Sequence, residues 1–153
     1  NNGKYAFISK SGTEWENQDF ISATTTIDPQ KGGGIVALDL KTQKYAWDMP
    51  AGSCEGRTRC SPSQSAAVTA IPGAVFSGAV SGIMRAYAAD SGKVIWEYDT
   101  VKNYQSVNGA VAKGGAIDGP GAVVVDGWVY FGSGYAKWGG HGGNVLLAFK
   151  VKK

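Results

Sequence analysis

Six side chains in this sequence have types and settings that permit chemistry, and each also has a plainer reading. Asp118, in GGAIDGPG, offers the carboxylate of a general base or an ion ligand, but Asp before Gly-Pro-Gly is also a common turn former. Asn108, in VNG, has an amide that can donate to a ligand oxygen or close an Asx turn. Arg57 and Arg59, in CEGRTRC, can grip a carboxylate through parallel N–H donors or stay solvated on a loop. Trp138, in YAKWGGHGG, can stack on a flat ligand or simply pack. His141 is the only histidine and is flanked by glycines; it can titrate near neutral pH, but no partner is written beside it. No paired nucleophile and base, no phosphate loop and no nucleic-acid module accompanies these residues. The run Gly32-Gly33-Gly34…Ala37 mimics a dinucleotide fingerprint, but it precedes a strand instead of opening a helix.

Cys54 and Cys60 lie in the polar stretch AGSCEGRTRCSPS. A zinc site needs at least two further ligands, and the haem attachment pattern C-x-x-C-H is absent. Two close cysteines in a Gly/Ser/Arg loop read as a small disulfide, with two unrelated thiols as the alternative. A disulfide implies an oxidising compartment, periplasmic or extracellular. No other metal-ligand set is assigned.

The elements that must hold these loops are strands. The chain has 153 residues, enough for one domain with a real core, and 23 of them are glycine, well above the usual share. With 7 Tyr, 5 Trp, many Val and Ile, and frequent turn dipeptides, the composition points to an all-β fold without a long helix. A net charge of +3 is mild, the Lys150-Val151-Lys152-Lys153 tail reads as solvated, and no apolar run approaches a membrane span. The opening Asn1-Asn2-Gly3-Lys4 lacks an initiating Met, which suggests a processed or truncated piece.

The sequence also repeats itself. IVALDLKTQKYAWDM (35–49) aligns with MRAYAADSGKVIWEY (84–98), matching Ala37 with Ala86, Gln43 with Gly92 and Trp47 with Trp96. A third copy begins as NVLLAFKV with Ala148 in the first position, and the three alanines stand 49 and 62 residues apart. Such a period suits a four-stranded unit of the propeller type. The middle unit reads as strands at 65–71, 74–80, 83–88 and 94–99 with tight turns between them. Residues 1–50 read as the end of one blade, 65–100 as a complete blade and 121–151 as a last blade lacking its outer strand. AVVV and VLLAF are continuously apolar, so both faces of those strands should be covered. Ala37, Trp47, Ala86, Gly92, Trp96 and Ala148 are packing devices on this reading. The long polar loops 10–32, 51–64, 101–119 and 133–143 fall at one end of the sheets and the tight turns at the other, so function belongs with the long loops.

The Ala-x-Asp-x-x-Thr-Gly-x-x-x-Trp pattern resembles the tryptophan-docking motif of quinoprotein dehydrogenases, eight-bladed propellers that bind pyrroloquinoline quinone (PQQ). CSPSQSAAVTAIPGAVFSGAVSGIMRAYAADSGKVIWEYDT, VNGAVAKGGAIDGPGAVV and SGYAKWGGHGGNVLLAF resemble the C-terminal blades of polyvinyl-alcohol dehydrogenase-like proteins, over residues 33–151. The resemblance implies a propeller fragment of two to three blades. It also implies a parent that oxidises polymeric or secondary alcohols with PQQ and calcium, and a haem c segment outside this chain. The catalytic base would be an Asp, for which Asp118 is the candidate, with Asn108, Arg57, Arg59 and Trp138 as candidate cofactor contacts. Partners would be the remaining blades or another copy capping the sheet edges, and a cytochrome as electron acceptor. The competing class is a cofactor-free extracellular propeller used as a binding or assembly scaffold, because blade motifs serve packing whether or not a site survives.

Overall fold

The computed structural model describes residues 3–12, 15–19, 24–136 and 139–151. Among these residues fourteen strands form in chain order: β1 Tyr5–Lys10, β2 Trp15–Asp19, β3 Thr24–Ile27, β4 Gly34–Asp39, β5 Tyr45–Met49, β6 Thr69–Ile71, β7 Ala74–Gly78, β8 Ile83–Ala88, β9 Val94–Asp99, β10 Asn103–Gln105, β11 Val111–Lys113, β12 Val123–Val125, β13 Trp128–Ser133 and β14 Val145–Lys150. Three antiparallel sheets carry the architecture, in the orders β1-β4-β5, β6-β7-β8-β9 and β12-β13-β14, and β2-β3 and β10-β11 form two separate two-stranded hairpins. No helix forms among the described residues, and the fold is all-β as the composition indicates.

The two full copies of the repeat adopt the same pairing. Ala37 lies between Phe7 and Trp47 across its neighbouring strands, and Ala86 lies between Phe76 and Trp96. In both sheets the register shifts immediately after the alanine, between Ala37 and Leu38 and between Ala86 and Tyr87. The small residue leaves room for the next sheet to approach, and a bulge turns the outer strand so that its indole reaches across.

The reach is visible at Trp47. Its ring is 9% exposed, packs in a cluster with Tyr5, Ile35, Ala37, Val75, Tyr87 and Ala89, and donates from Nε1 to the Ala89 carbonyl at 3.2 Å. That carbonyl belongs to the β8–β9 turn of the following sheet, where Gly92 has φ +72° and a Cβ would stand 2.8 Å from the indole. Gly92 therefore has two independent reasons to be glycine, a left-handed backbone and an aromatic ring resting on it. Gln43, its match in the first sheet, adopts φ 58° without being glycine, a conformation that costs a side-chain-bearing residue about 1 kcal/mol. Asp39 steadies that turn by accepting from the amides of Lys41 and Thr42 at 2.9 and 2.8 Å. Chiefly through the Thr42 amide, these bonds hold the Asp39 carboxyl below its ordinary pKa.

The middle sheet is covered on both faces. Val75 and Tyr87 face the first sheet, while Phe76, Met84 and Ala86 face Phe131 and Leu147 of the third. The third sheet departs from the sequence expectation. Val124, Val129, Phe131, Val145, Leu147 and Phe149 pack toward the middle sheet, but Val123, Val125, Leu146 and Ala148 on the other face are exposed, Leu146 at 72%. The continuous apolar run marks strands built for burial on two faces, and this chain supplies a neighbour for one. The strand expected at 65–71 is shortened to Thr69–Ile71, because the Ala67 amide instead donates to the Gly119 carbonyl at 2.9 Å, joining the inner parts of adjacent sheets. The loops 10–32 and 101–119 each contain a hairpin that composition did not reveal. The second was signalled by Asn108-Gly109, a turn dipeptide between short β-prone segments.

Gly92→Ala should lower unfolding free energy by about 1–3 kcal/mol, through left-handed strain and the collision with Trp47. Gln43→Gly at the matching turn should be neutral or stabilising by up to about 1 kcal/mol, because it relieves strain and meets no ring. Urea unfolding of the two variants checks the asymmetry; equal losses would contradict it.

Candidate functional site

Because the strands alternate in direction, the end after β1, β5, β9 and β13 gathers the described residues of the segments 11–33, 50–68, 100–122 and 134–144, while the opposite end holds only short turns among the described residues. The long segments touch in sequence around that end. The Gly33 amide donates to the Ser11 carbonyl at 2.9 Å, Ser63 Oγ also donates to that carbonyl, and the Val80 amide donates to the Ser63 carbonyl at 2.9 Å. Ile117 N–H then reaches the Ala79 carbonyl at 3.0 Å, and Ala116 N–H reaches the His141 carbonyl at 2.7 Å. The loop end is thus a continuous hydrogen-bonded rim.

Two buried polar networks pin this rim to the sheets. Gly115 N–H donates to Ser133 Oγ (2.8 Å), Ser133 Oγ lies 2.8 Å from Thr100 Oγ1, and Thr100 Oγ1 donates to the Gly82 carbonyl (2.7 Å), linking the middle and third sheets. Ser77 Oγ donates to Gln64 Oε1 and Gln64 Nε2 donates to Tyr87 Oη, both at 2.7 Å, with Gln64 2% and Tyr87 1% exposed. Sequence reading singled out none of these residues. Ser, Thr and Gln are usually surface residues, and only packing reveals that these are buried and satisfied.

Cys54 and Cys60 form a disulfide with their Cα atoms 5.9 Å apart, and both are buried. It closes the small loop that carries Arg57. Arg57 forms a two-pronged ion pair with Asp99, both N···O distances being 3.1 Å, and also donates to the Ser81 carbonyl at 3.3 Å. The loop is thereby tied to the end of β9. Arg59 is exposed and sits at φ 50°. Asn108 occupies the exposed tip of the β10–β11 hairpin, where its Oδ1 accepts from Ser106 Oγ and, at 3.2 Å, from the Ala110 amide. Asp118 is 8% exposed and lies between Ile117 and Gly119, whose backbones bond to the middle sheet. His141 is half-buried and contributes its carbonyl. Trp138 lies outside the described residues.

No hydrogen bond or ion pair joins Asp118, Asn108, Arg57 and Arg59 to one another among the described residues. A calcium site needs several oxygen ligands, and the described residues hold no group of three or more His, Cys, Asp or Glu able to bind a metal ion. A quinone tricarboxylate needs converging cationic and amide donors, whereas Arg57 is engaged by Asp99 and Asn108 by its own turn. Among the described buried side chains, only Ser65 Oγ lacks a hydrogen-bond partner, and a lone hydroxyl is no cradle for such a ligand. The residues described here do not by themselves fit calcium or PQQ. What this end offers is a braced rim on which Asp118 is held at low exposure.

No family model matches the chain. Two curated relatives do: a polyvinylalcohol dehydrogenase from a Pseudomonas species is 40% identical over 136 residues, covering 80% of this chain and 21% of that protein. Another, from a Sphingopyxis species, is 39% identical over 132 residues, covering 77% and 20%. The chain thus spans about a fifth of the length of these relatives. Among solved structures, the quinohemoprotein alcohol dehydrogenase ADHIIG from Pseudomonas putida superimposes with a TM-score of 0.55 at 23% identity, covering 94% of this chain and 18% of that one. The quinohemoprotein alcohol dehydrogenase from Comamonas testosteroni gives 0.53 at 21% identity, covering 97% and 21%. At such identities the likeness speaks to the fold alone.

Replacing both cysteines with serine should cost about 2 kcal/mol, the chain-entropy value for so short a loop. Thermal unfolding of the double variant under non-reducing conditions checks this, and an unchanged midpoint would show that the Arg57 ion pair and loop hydrogen bonds alone hold the rim. By sequence the chain is similar to about a fifth of two polyvinylalcohol dehydrogenases, and its fold is that of a partial β-propeller built of antiparallel sheets.

Proposed function

We propose that this chain is a portion of a longer PQQ-dependent dehydrogenase that oxidises polymeric or secondary alcohols, to which it contributes blades and part of the loop-lined end. The carrying observation is the 40% identity to a polyvinylalcohol dehydrogenase across most of the chain. In that protein PQQ would supply the electron acceptor for alcohol oxidation. The described residues do not assemble its site, so its ligands, any calcium and any haem c are assigned to the remainder of the polypeptide, and electrons would pass on to a cytochrome. This chain's own part is mechanical. The Thr100–Ser133–Gly115 and Gln64–Tyr87 networks keep the rim rigid, and the disulfide loop fixes the approach above β9. Asp118, shielded and held by flanking backbone bonds, is the residue of this chain offered as the base facing the alcohol. The disulfide supports a periplasmic or secreted location.

The second reading, a cofactor-free scaffold, draws on the engagement of Arg57 and Asn108 by their own loops. Titrating the full-length protein with PQQ and Ca²⁺ while following dye reduction with polyvinyl alcohol separates the two. The expected result is saturable quinone binding and alcohol-dependent turnover, with Asp118→Asn lowering kcat by about 100-fold or more while quinone binding is retained. A protein that binds no quinone and turns over no alcohol would favour the scaffold.

A further inference from the structure

One stretch of backbone at the loop end brings Tyr135 to Asp118. The Gly134 and Tyr135 amides both donate to the Ala116 carbonyl, at 2.8 and 3.1 Å. Two residues along, Asp118 is 8% exposed, and its carboxylate has no hydrogen-bond or ion-pair partner among the described residues. Gly119 follows with φ +83°, and Tyr135 Cε1 stands 4.0 Å from the place a Cβ would take there. The ring edge therefore lies at bare backbone, one residue from an unpartnered carboxylate.

Both groups are held in place. The Ile117 amide donates to the Ala79 carbonyl at 3.0 Å, and the Gly119 carbonyl accepts from the Ala67 amide at 2.9 Å, so the stretch is tied to the middle sheet on either side of Asp118. Tyr135 is fixed at its own amide, yet it is 50% exposed and its hydroxyl has no partner among the described residues. A ring so placed offers solvent a rigid apolar surface at low cost in side-chain freedom. A carboxylate without donors is able to accept from a hydroxyl. An alcohol within a carbon chain carries both complements, a hydroxyl and a methylene on each side of its carbinol carbon. Methanol has no carbon arm to lay against the ring.

On the reading that Asp118 faces the alcohol, on which this inference rests, we propose that Tyr135 is a specificity-determining residue for alcohols embedded in a carbon chain. Its ring covers the methylenes beside the hydroxyl that Asp118 receives, and its own hydroxyl takes no part.

The test uses the full-length protein with Tyr135→Ala or Tyr135→Phe and an oligomer of vinyl alcohol as the probe. Calorimetry follows oligomer binding, and dye reduction follows turnover of the oligomer and of methanol. Tyr135→Ala should weaken oligomer binding and raise its KM by about tenfold, the loss expected when one ring face no longer covers methylenes. The kcat for the oligomer and kcat/KM for methanol should stay unchanged. Tyr135→Phe should bind the oligomer as the parent does. Unchanged binding in Tyr135→Ala, a loss of binding in Tyr135→Phe, or no oligomer binding by the parent would overturn the assignment. Weakened binding in Tyr135→Ala alongside undiminished oligomer turnover in Asp118→Asn would uphold the ring contact and strike the Asp118 reading instead.

Discussion

Everything in this chain depends on contacts between sheets, and the docking of Trp47 shows why. A three- or four-stranded antiparallel sheet cannot bury its own faces, so its apolar residues gain nothing until another sheet lies against them. The Trp47 ring spans that gap, with its body among Tyr5, Val75 and Tyr87 and its N–H on the Ala89 carbonyl. Burying a ring of on the order of 200 Å² contributes several kcal/mol at about 25 cal/mol per Å². The hydrogen bond adds less energy but fixes where the ring lands. Ala37, Gly92 and the bulge after Ala37 exist to permit that landing.

The loop end follows from the same constraint. Sheets stacked face to face bring the same ends of their strands together, so the segments leaving β1, β5, β9 and β13 become neighbours although they are far apart in sequence. Their backbone groups would be orphaned if buried singly. They are satisfied by one another and by Ser133, Thr100, Gln64 and Ser77, whose hydroxyls and amide act as spacers between sheets. Rigidity at this end is a precondition for any site there, whichever part of the longer protein supplies the reacting groups.

Much of the fold was legible in the residues. The Ala…Trp repeat located the outer strands, and tight turns such as Pro72-Gly73 and Asp126-Gly127 separated neighbouring strands, because those turns demand particular backbone angles that few residues accept. Two close cysteines in a Gly/Ser/Arg loop read as a small disulfide, with unrelated thiols as the alternative, and Cys54 and Cys60 do form one. Less legible was the length of the inner strand before Ile71, since the Ala67 amide had two acceptable partners and the adjacent sheet won. The candidate site was least legible. Arg57 and Asn108 have side chains suited to ligands, but whether they meet a ligand or their own loop depends on Asp99 and Ser106 being within reach.

The sequence by itself determined that the chain is built of short strands in repeated units and which end carries the long loops. These are local properties, set by backbone preference, side-chain size and the alternation of strand direction. Only the tertiary structure decided which polar groups are buried and satisfied, that Arg57 is spoken for by Asp99, and that the third sheet presents an uncovered apolar face. Burial and pairing belong to residues brought together across dozens of positions, and no window of sequence contains both partners.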